Sequence, residues 1–202
     1  MSIKALIWDL EGVLLVSPDK NIKTSLAKRL NVPVEAIGDV FHSLFNDRVD
    51  IGEFKQRDFW LYTLDALGLP SERLPELESF FQEDFFIDQD MLERIRQYRK
   101  KFKTAMLSNY SEVLRPMLET CWNVDGAFDE IIISWEVKMI KPDPAIFDLT
   151  LGKLNVAKDE AVLIDDRIVN IRGAEKYGLH TVHFRNKQQG LNDLEEIIAR
   201  YG

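Results

Sequence analysis

Five short aliphatic or β-branched runs, separated by stretches of helical periodicity, constrain this fold more than any other feature of the sequence: Ile3 to Trp8, Lys103 to Leu107, Glu130 to Ile133, Ala161 to Ile164 and Thr181 to Phe184. Runs this short and this apolar read as strands buried on both faces of a parallel sheet. Between the later runs, apolar residues recur at spacings near three and four, as in Val113, Met117 and Leu118, then Ile146, Leu149 and Leu154. A strand followed by a helix, repeated, predicts an α/β fold with right-handed crossovers.

The long interval between Val16 and Lys103 carries almost no strand signal. Helices are expected there near Asp19 to Leu30, Val34 to Asn46, Gly52 to Leu67 and Ser71 to Phe86, punctuated by Pro18, Pro33, Gly52 and the Gly68-Leu69-Pro70 break. The expected organisation is a core formed by residues 1–16 and 90–202, with a helical cap over 17–89. The aromatic residues of that segment, among them Phe41, Phe45, Phe54, Phe59, Trp60, Phe80, Phe81, Phe85 and Phe86, are expected to pack the cap's own core.

Composition closes off several functions. With 202 residues, 46% of them hydrophobic and 30% charged, the chain has the make-up of a soluble globular protein. No apolar run approaches the roughly 20 residues needed to span a bilayer. The start Met-Ser-Ile-Lys lacks the h-region of a secretory signal, so the cytoplasm is the expected address and no membrane partner is expected. A net charge of -8 disfavours nucleic acid as a partner, and the basic stretch Arg94 to Lys103 reads as the solvated face of a helix. The lone Cys121 excludes an internal disulfide; its neighbours Leu118 and Trp122 predict a buried small hydrophobe at a helix end. His42, His180 and His183 have no zinc-chelating spacing and read as structural. Oligomeric state is left open.

Acidic residues at the carboxyl ends of parallel strands sit where open α/β sheets bind ligands. Asp9 and Glu11 follow the first run, and Asp165 and Asp166 follow the fourth. Either pair alone could be a helix cap or a turn. Gathered in one low-dielectric crevice, their repulsion calls for a cation. Oxygen ligands of this kind suit a hard divalent ion, magnesium in particular. Ser108 and Asn109, after the second run, could donate to phosphoryl oxygens or could equally form a helix N-cap. Lys141, before Pro142-Asp143-Pro144, could offset a developing phosphoryl charge.

In order, these segments resemble the four motifs of the haloacid dehalogenase superfamily of hydrolases: Asp9-Leu10-Glu11-Gly12-Val13, Ser108-Asn109, Lys141-Pro142-Asp143-Pro144, and Ile164-Asp165-Asp166-Arg167 with Asn170. The match runs over nearly the whole chain, and the long interval after the first motif resembles the subfamily with a helical cap inserted there. The resemblance implies a three-layer, Rossmann-like parallel sheet in the order 3-2-1-4-5 with a small inserted cap. It implies a magnesium-dependent phosphatase acting on a small phosphorylated metabolite such as a sugar phosphate. Asp9 would attack phosphorus and form an aspartyl-phosphate. Magnesium would bind Asp9, the backbone carbonyl of Glu11 and Asp166, with Asp165 nearby. Ser108, Asn109 and Lys141 would hold the transferred group.

One position departs from the pattern. The second acid of the first motif, usually Asp and the proton donor to the leaving alcohol, is Glu11 here. The extra methylene moves the carboxyl by about 1.5 Å, and a misplacement of about 1 Å can cost about 100-fold in rate. Two alternatives follow: a catalytically weak relative acting as a binding or regulatory protein, and a 2-haloacid dehalogenase, which resembles this chain less because such enzymes typically carry an aromatic residue at that position.

Overall fold

The computed structural model describes residues 2–19, 21–41 and 48–201. His42, Phe45 and Asn46, named above, lie outside these residues. Among the described residues seven strands follow in chain order: β1 (Ala5–Trp8), β2 (Leu15–Val16), β3 (Phe86–Ile87), β4 (Lys103–Ser108), β5 (Glu130–Ile133), β6 (Ala161–Asp165) and β7 (His180–His183). Five form a parallel sheet in the order β5-β4-β1-β6-β7. Numbered among themselves, these strands run 3-2-1-4-5, as expected. The last strand begins at His180 rather than Thr181, and Phe184 has left the ladder, although its N–H still donates to the Asp165 carbonyl at 2.9 Å.

The two-residue period of a strand explains why the runs are apolar throughout. Leu6 and Trp8 of β1 pack on one side of the sheet with Met106, Val162 and Ile164. Ala5 and Ile7 face the other side with Ala105, Leu107 and Leu163. The first side is covered by Met91, Leu92 and Ile95 of the helix Gln89–Arg99 and by Leu194 of the helix Lys187–Tyr201. The second is covered by Ile146, Phe147 and Leu151 of the helix Pro144–Leu154 and by Ala174 of the helix Ile168–Tyr177. The result is three layers with β1 at the centre.

The insertion is helical, with later starts and more breaks than its sequence suggests. Its first helix, Ile22–Leu30, begins where Asn21 Oδ1 accepts the N–H groups of Lys23 and Thr24 at 2.9 and 3.3 Å. A second spans Val34–Phe41. The helix Gln56–Ala66 starts four residues after Gly52, whose φ of +75° and the extended Lys55 delay it. The single helix expected over Ser71 to Phe86 is instead a 3-10 turn, Ser71–Arg73, followed by the short helices Leu74–Glu78 and Phe80–Asp84. Pro75 occupies the first turn of the former, and Phe85 is extended after the latter. Phe86 then pairs with Val16, and Ile87 with Leu15, in an antiparallel ribbon through which the chain leaves the core and returns. Two residues per strand are too few to leave a periodic signal.

Trp60, Phe80, Phe81 and Phe85 form the insertion's aromatic cluster, with Phe80 and Phe81 ring centroids 5.2 Å apart and Trp60 meeting Phe80 edge-on at 6.4 Å. Arg94 is exposed on its helix, as expected. His183 Nε2 lies 3.0 Å from the Asp166 carbonyl oxygen, and His180 stacks on Tyr201 at 4.4 Å, so both serve the fold. Cys121 is exposed, contrary to expectation. It caps the helix Leu114–Thr120, whose buried face is Leu114, Met117 and Leu118, and Trp122 takes the buried position beyond it. Among the described residues no helix is long and apolar enough to cross a membrane.

Candidate active site

Asp9 directly follows β1, and its N–H donates to the Ile164 carbonyl at 2.9 Å, so the strand's pairing with β6 fixes where its side chain emerges. The chain then turns tightly, with the N–H groups of Leu14 and Leu15 both donating to the Leu10 carbonyl at 2.8 and 2.7 Å. Gly12, at φ +75°, lets this turn press against the Asp166 side chain; a Cβ there would overlap the carboxylate. This close approach is the physical reason for a glycine at that place in the first motif.

Three sequence-distant residues meet at this point. Lys141 Nζ donates to Asp9 Oδ1 at 2.8 Å, to Asp165 Oδ2 at 2.7 Å and to the Leu107 carbonyl at 2.7 Å. All three charged groups are buried, at 5%, 3% and 0% relative exposure for Asp9, Lys141 and Asp165. Asp9 Oδ1 also accepts the Leu10 N–H at 2.7 Å. Its carboxylate is therefore oriented through Oδ1, and no protein donor among the described residues meets Oδ2. Asp165 is fully engaged. Its Oδ1 accepts from the Arg167 N–H at 2.8 Å and from Asn170 Nδ2 at 3.0 Å, and its Oδ2 accepts from Lys141 and again from Asn170. It anchors the lysine and the start of the next helix.

Ser108 is the last residue of β4 and is buried beside the site. Asn109 lines the cavity with Asp9 and Lys141, and its amide is engaged with the Lys141 backbone. Its Oδ1 accepts the Lys141 N–H at 2.8 Å and its Nδ2 donates to the Lys141 carbonyl at 3.0 Å. The amide thus clamps the lysine's backbone. That pairing joins loops 32 residues apart, and no local pattern announces it.

The electrostatics are those of a site short of positive charge. Burial, then Asp165, pushes the Asp9 carboxyl well above its ordinary value, against the pull of Lys141. Burial and Asp166 raise Glu11 to about 7, and burial and Asp165 raise Asp166 to about 6. Burial opposes the charged form of Lys141, but Asp9 and Asp165 outweigh it and hold the ammonium above its usual range. Asp9, Asp165 and Asp166 each offer an oxygen within 4.8 Å of the others. A hard divalent cation fits this all-oxygen donor set and would relieve its repulsion.

A cavity of about 320 Å³ opens over these groups. Asp9, Glu11, Lys141 and Asp166 form one end, and Phe41, Phe59, Trp60 and Phe81 of the insertion line the other. The insertion's aromatics therefore pack its core and also wall the cavity. Tyr110 and Ser111, which no motif marks, also line it.

A parallel sheet between two helical layers, with an aspartate, a lysine and a carboxylate pair at its strand tips, is an arrangement suited to an α/β hydrolase. A family model for haloacid dehalogenase-like hydrolases matches residues 3–178, and the chain belongs to that family. It is 24% identical to rat bifunctional epoxide hydrolase 2 across 98% of its own length, but it spans only 39% of that protein. It is 27% identical to (S)-2-haloacid dehalogenase 1 of Pseudomonas sp. strain CBS-3, over 98% of this chain and 97% of the relative. A shorter match, 42% identical over 59 residues, covers 29% of this chain and 25% of a glyceraldehyde 3-phosphate phosphatase of Methanopyrus kandleri. Among solved structures, an HAD-like family hydrolase from Porphyromonas gingivalis superposes with a TM-score of 0.77 at 20% identity, covering 98% of both chains. The HAD family enzyme bt-2542 of Bacteroides thetaiotaomicron, solved in complex with magnesium and inorganic phosphate, gives 0.72 at 21% identity, over 89% of this chain and 93% of that one.

Proposed function

We propose that this hydrolase is a magnesium-dependent phosphatase acting on a small phosphorylated metabolite. The observation that carries the reading is the trio Asp9, Asp165 and Asp166, whose oxygens lie within 4.8 Å of one another opposite a single buried lysine. The magnesium and phosphate of the Bacteroides enzyme and the name of the Methanopyrus relative support it.

Asp9, Asp166 and the backbone carbonyl of Glu11 would hold the cation, with Asp165 beside them. When bound, magnesium supplies positive charge that draws the phosphate to the carboxylates and offsets charge developing on it. Asp9 attacks phosphorus from Oδ2, the oxygen without a protein donor, and the P–O bond to the alcohol breaks. Glu11 gives the departing oxygen its proton and afterwards takes one from the water that hydrolyses the aspartyl-phosphate. Lys141, clamped by Asn109, neutralises the nucleophile and the transferred group together, and Ser108 donates to a phosphoryl oxygen. The helical insertion closes over the crevice and excludes bulk water.

A second reading, displacement of halide from carbon by the same Asp9, is favoured by the dehalogenase that matches over nearly its full length. One experiment separates the two. Phosphate release from a panel of phosphomonoesters is measured with and without magnesium, beside chloride release from 2-chloropropionate. The phosphatase reading expects magnesium-dependent phosphate release that falls by on the order of a thousand-fold or more in Asp9→Asn. Metal-independent chloride release without phosphate release would overturn it, and full phosphatase activity in Asp9→Asn would unseat the nucleophile. A folded chain inactive on both would be a binding protein.

A further inference from the structure

The helix Gln56–Ala66 of the insertion starts without a capping side chain of its own. Lys55, which precedes it, carries no oxygen to accept the first N–H groups. The core supplies one instead, because the Gln56 N–H donates to both carboxylate oxygens of Glu112, at 3.1 and 3.2 Å. Glu112 lies 56 residues further along the chain, so the helix keeps this cap only while the insertion sits on the core. Phe59 and Trp60, in the first turns of that helix, wall the catalytic cavity. Glu112 also ends the loop 109–112, whose other members hold the reacting end. Asn109 clamps the Lys141 backbone through both amide atoms, at 2.8 and 3.0 Å. Tyr110 gives its N–H to Ser134 Oγ at 2.9 Å, and its carbonyl accepts the Trp135 N–H at 3.3 Å. Ser134 Oγ in turn donates to the Asp50 carbonyl of the insertion at 2.7 Å. The insertion is therefore tied to one short loop twice, through Gln56 and through Asp50, and that loop is tied to Lys141.

We propose that Glu112 is a positioning residue that couples the seating of the insertion to the clamp on Lys141. When the insertion lifts, Glu112 loses its donor, the loop 109–112 loosens, and Asn109 releases the lysine backbone. When it seats, the aromatic wall and the lysine are set in place together. The cation opposite Asp9 is then fully held only beneath a closed wall, so the site is assembled by closure rather than merely covered by it. This coupling does not depend on whether Asp9 attacks phosphorus or carbon, and measuring it requires no turnover.

Amide hydrogen exchange of the whole chain, followed residue by residue by NMR, tests it. Two amides report directly: Lys141, whose N–H meets Asn109, and Phe59, whose N–H donates to the Lys55 carbonyl at 3.3 Å. Losing a helix-cap acceptor shifts an opening equilibrium by about fivefold. In Glu112→Ala, exchange should rise by that factor at Phe59 and at Lys141 alike, while amides of β1 and β6 keep their wild-type protection. Glu112→Gln retains an acceptor and should recover most of the protection at both. Gln56→Pro removes the donor instead and serves if Glu112→Ala does not fold. Lys55, at φ -84° and ψ 157°, already has the conformation a following proline requires, and proline suits the first helical position. Gln56→Pro should reproduce Glu112→Ala, and the double variant should go no further than either. Faster exchange at Phe59 with Lys141 unchanged makes Glu112 a local helix cap and overturns the coupling. No change at either amide, or an equal rise throughout β1 and β6, overturns it as well.

Discussion

At the strand tips Asp165 accepts from the Arg167 N–H, from Lys141 Nζ and twice from Asn170 Nδ2, while in the loop after β4 the hydroxyls of Tyr110 and Ser111 meet no partner among the described residues. The first end sits on strand tips whose positions the sheet's hydrogen bonds fix. The second is a loop and an aromatic wall supplied by the insertion. The difference separates the two tasks of a hydrolase. Groups that act on the bond being broken must be held before substrate arrives, whereas polar groups unpaired in the free protein are the ones a ligand could complete.

Removing the lysine breaks this contrast most severely. Lys141→Ala leaves Asp9 and Asp165 buried beside each other without their shared cation, at a cost of about 3–5 kcal/mol. Denaturant unfolding in the presence of a chelator measures it, and added magnesium should restore part of the loss by binding the same carboxylates. Combining Lys141→Ala with Asp9→Asn should recover stability as well, because one of the two opposed charges is then gone. If Lys141→Ala were as stable as the wild type, the carboxylates could not be as tightly opposed as the geometry requires.

How much of each end was legible in the sequence follows from the same contrast. Asp9 and the pair Asp165-Asp166 could be read because they come at the end of apolar runs, and a strand's end fixes where the next side chains emerge. The sheet order was readable only through the family resemblance. The clamp of Asn109 on Lys141 was not readable, since it depends on two loops meeting across a span of 32 residues. Nor was the cavity wall, because helical spacing shows that Phe59 and Trp60 are buried without showing what they face. Cys121 reads as buried from its neighbours and is exposed for a related reason: the helix ends one residue before it, and Trp122 takes the buried place.

Glu11 sits on the boundary between the two ends and sharpens the comparison. It lines the catalytic cavity and a second cavity beside the ribbon of β2 and β3. On the phosphatase reading Glu11 is the proton donor, and if the reacting end is as rigid as its hydrogen bonds imply, the added methylene of glutamate would misplace its carboxyl. Glu11→Asp should then retain or raise phosphate release, by up to about 100-fold. Steady-state rates on the preferred ester check this. Loss of activity in a folded Glu11→Asp would mean that the turn over Leu10 to Leu15 is built around glutamate.

The smallest effect is expected where the insertion rejoins the core. Asp88 follows β3, its N–H donates to the Leu14 carbonyl at 2.9 Å, its Oδ1 caps the next helix by accepting the Met91 N–H at 3.0 Å, and it pairs with Lys187 at 2.6 Å. Burial alone would raise its pKa, but the Lys187 hydrogen bond and the Met91 N–H outweigh it and set the pKa below the ordinary value. A depressed folded-state pKa stabilises the protein above the unfolded value, near 3.9, and that contribution is lost as pH falls through the folded value. The Asp88→Asn variant keeps the cap but not the charge. It should therefore cost about 0.5 kcal/mol or less at pH 7, since the pair is partly exposed, and nothing at a pH below the folded value. Urea unfolding of both proteins at pH 7 and pH 3 reads the difference, which should narrow on acidification. A gap that widened instead would show that the carboxylate is destabilising and that the junction is held by the β2–β3 ribbon alone.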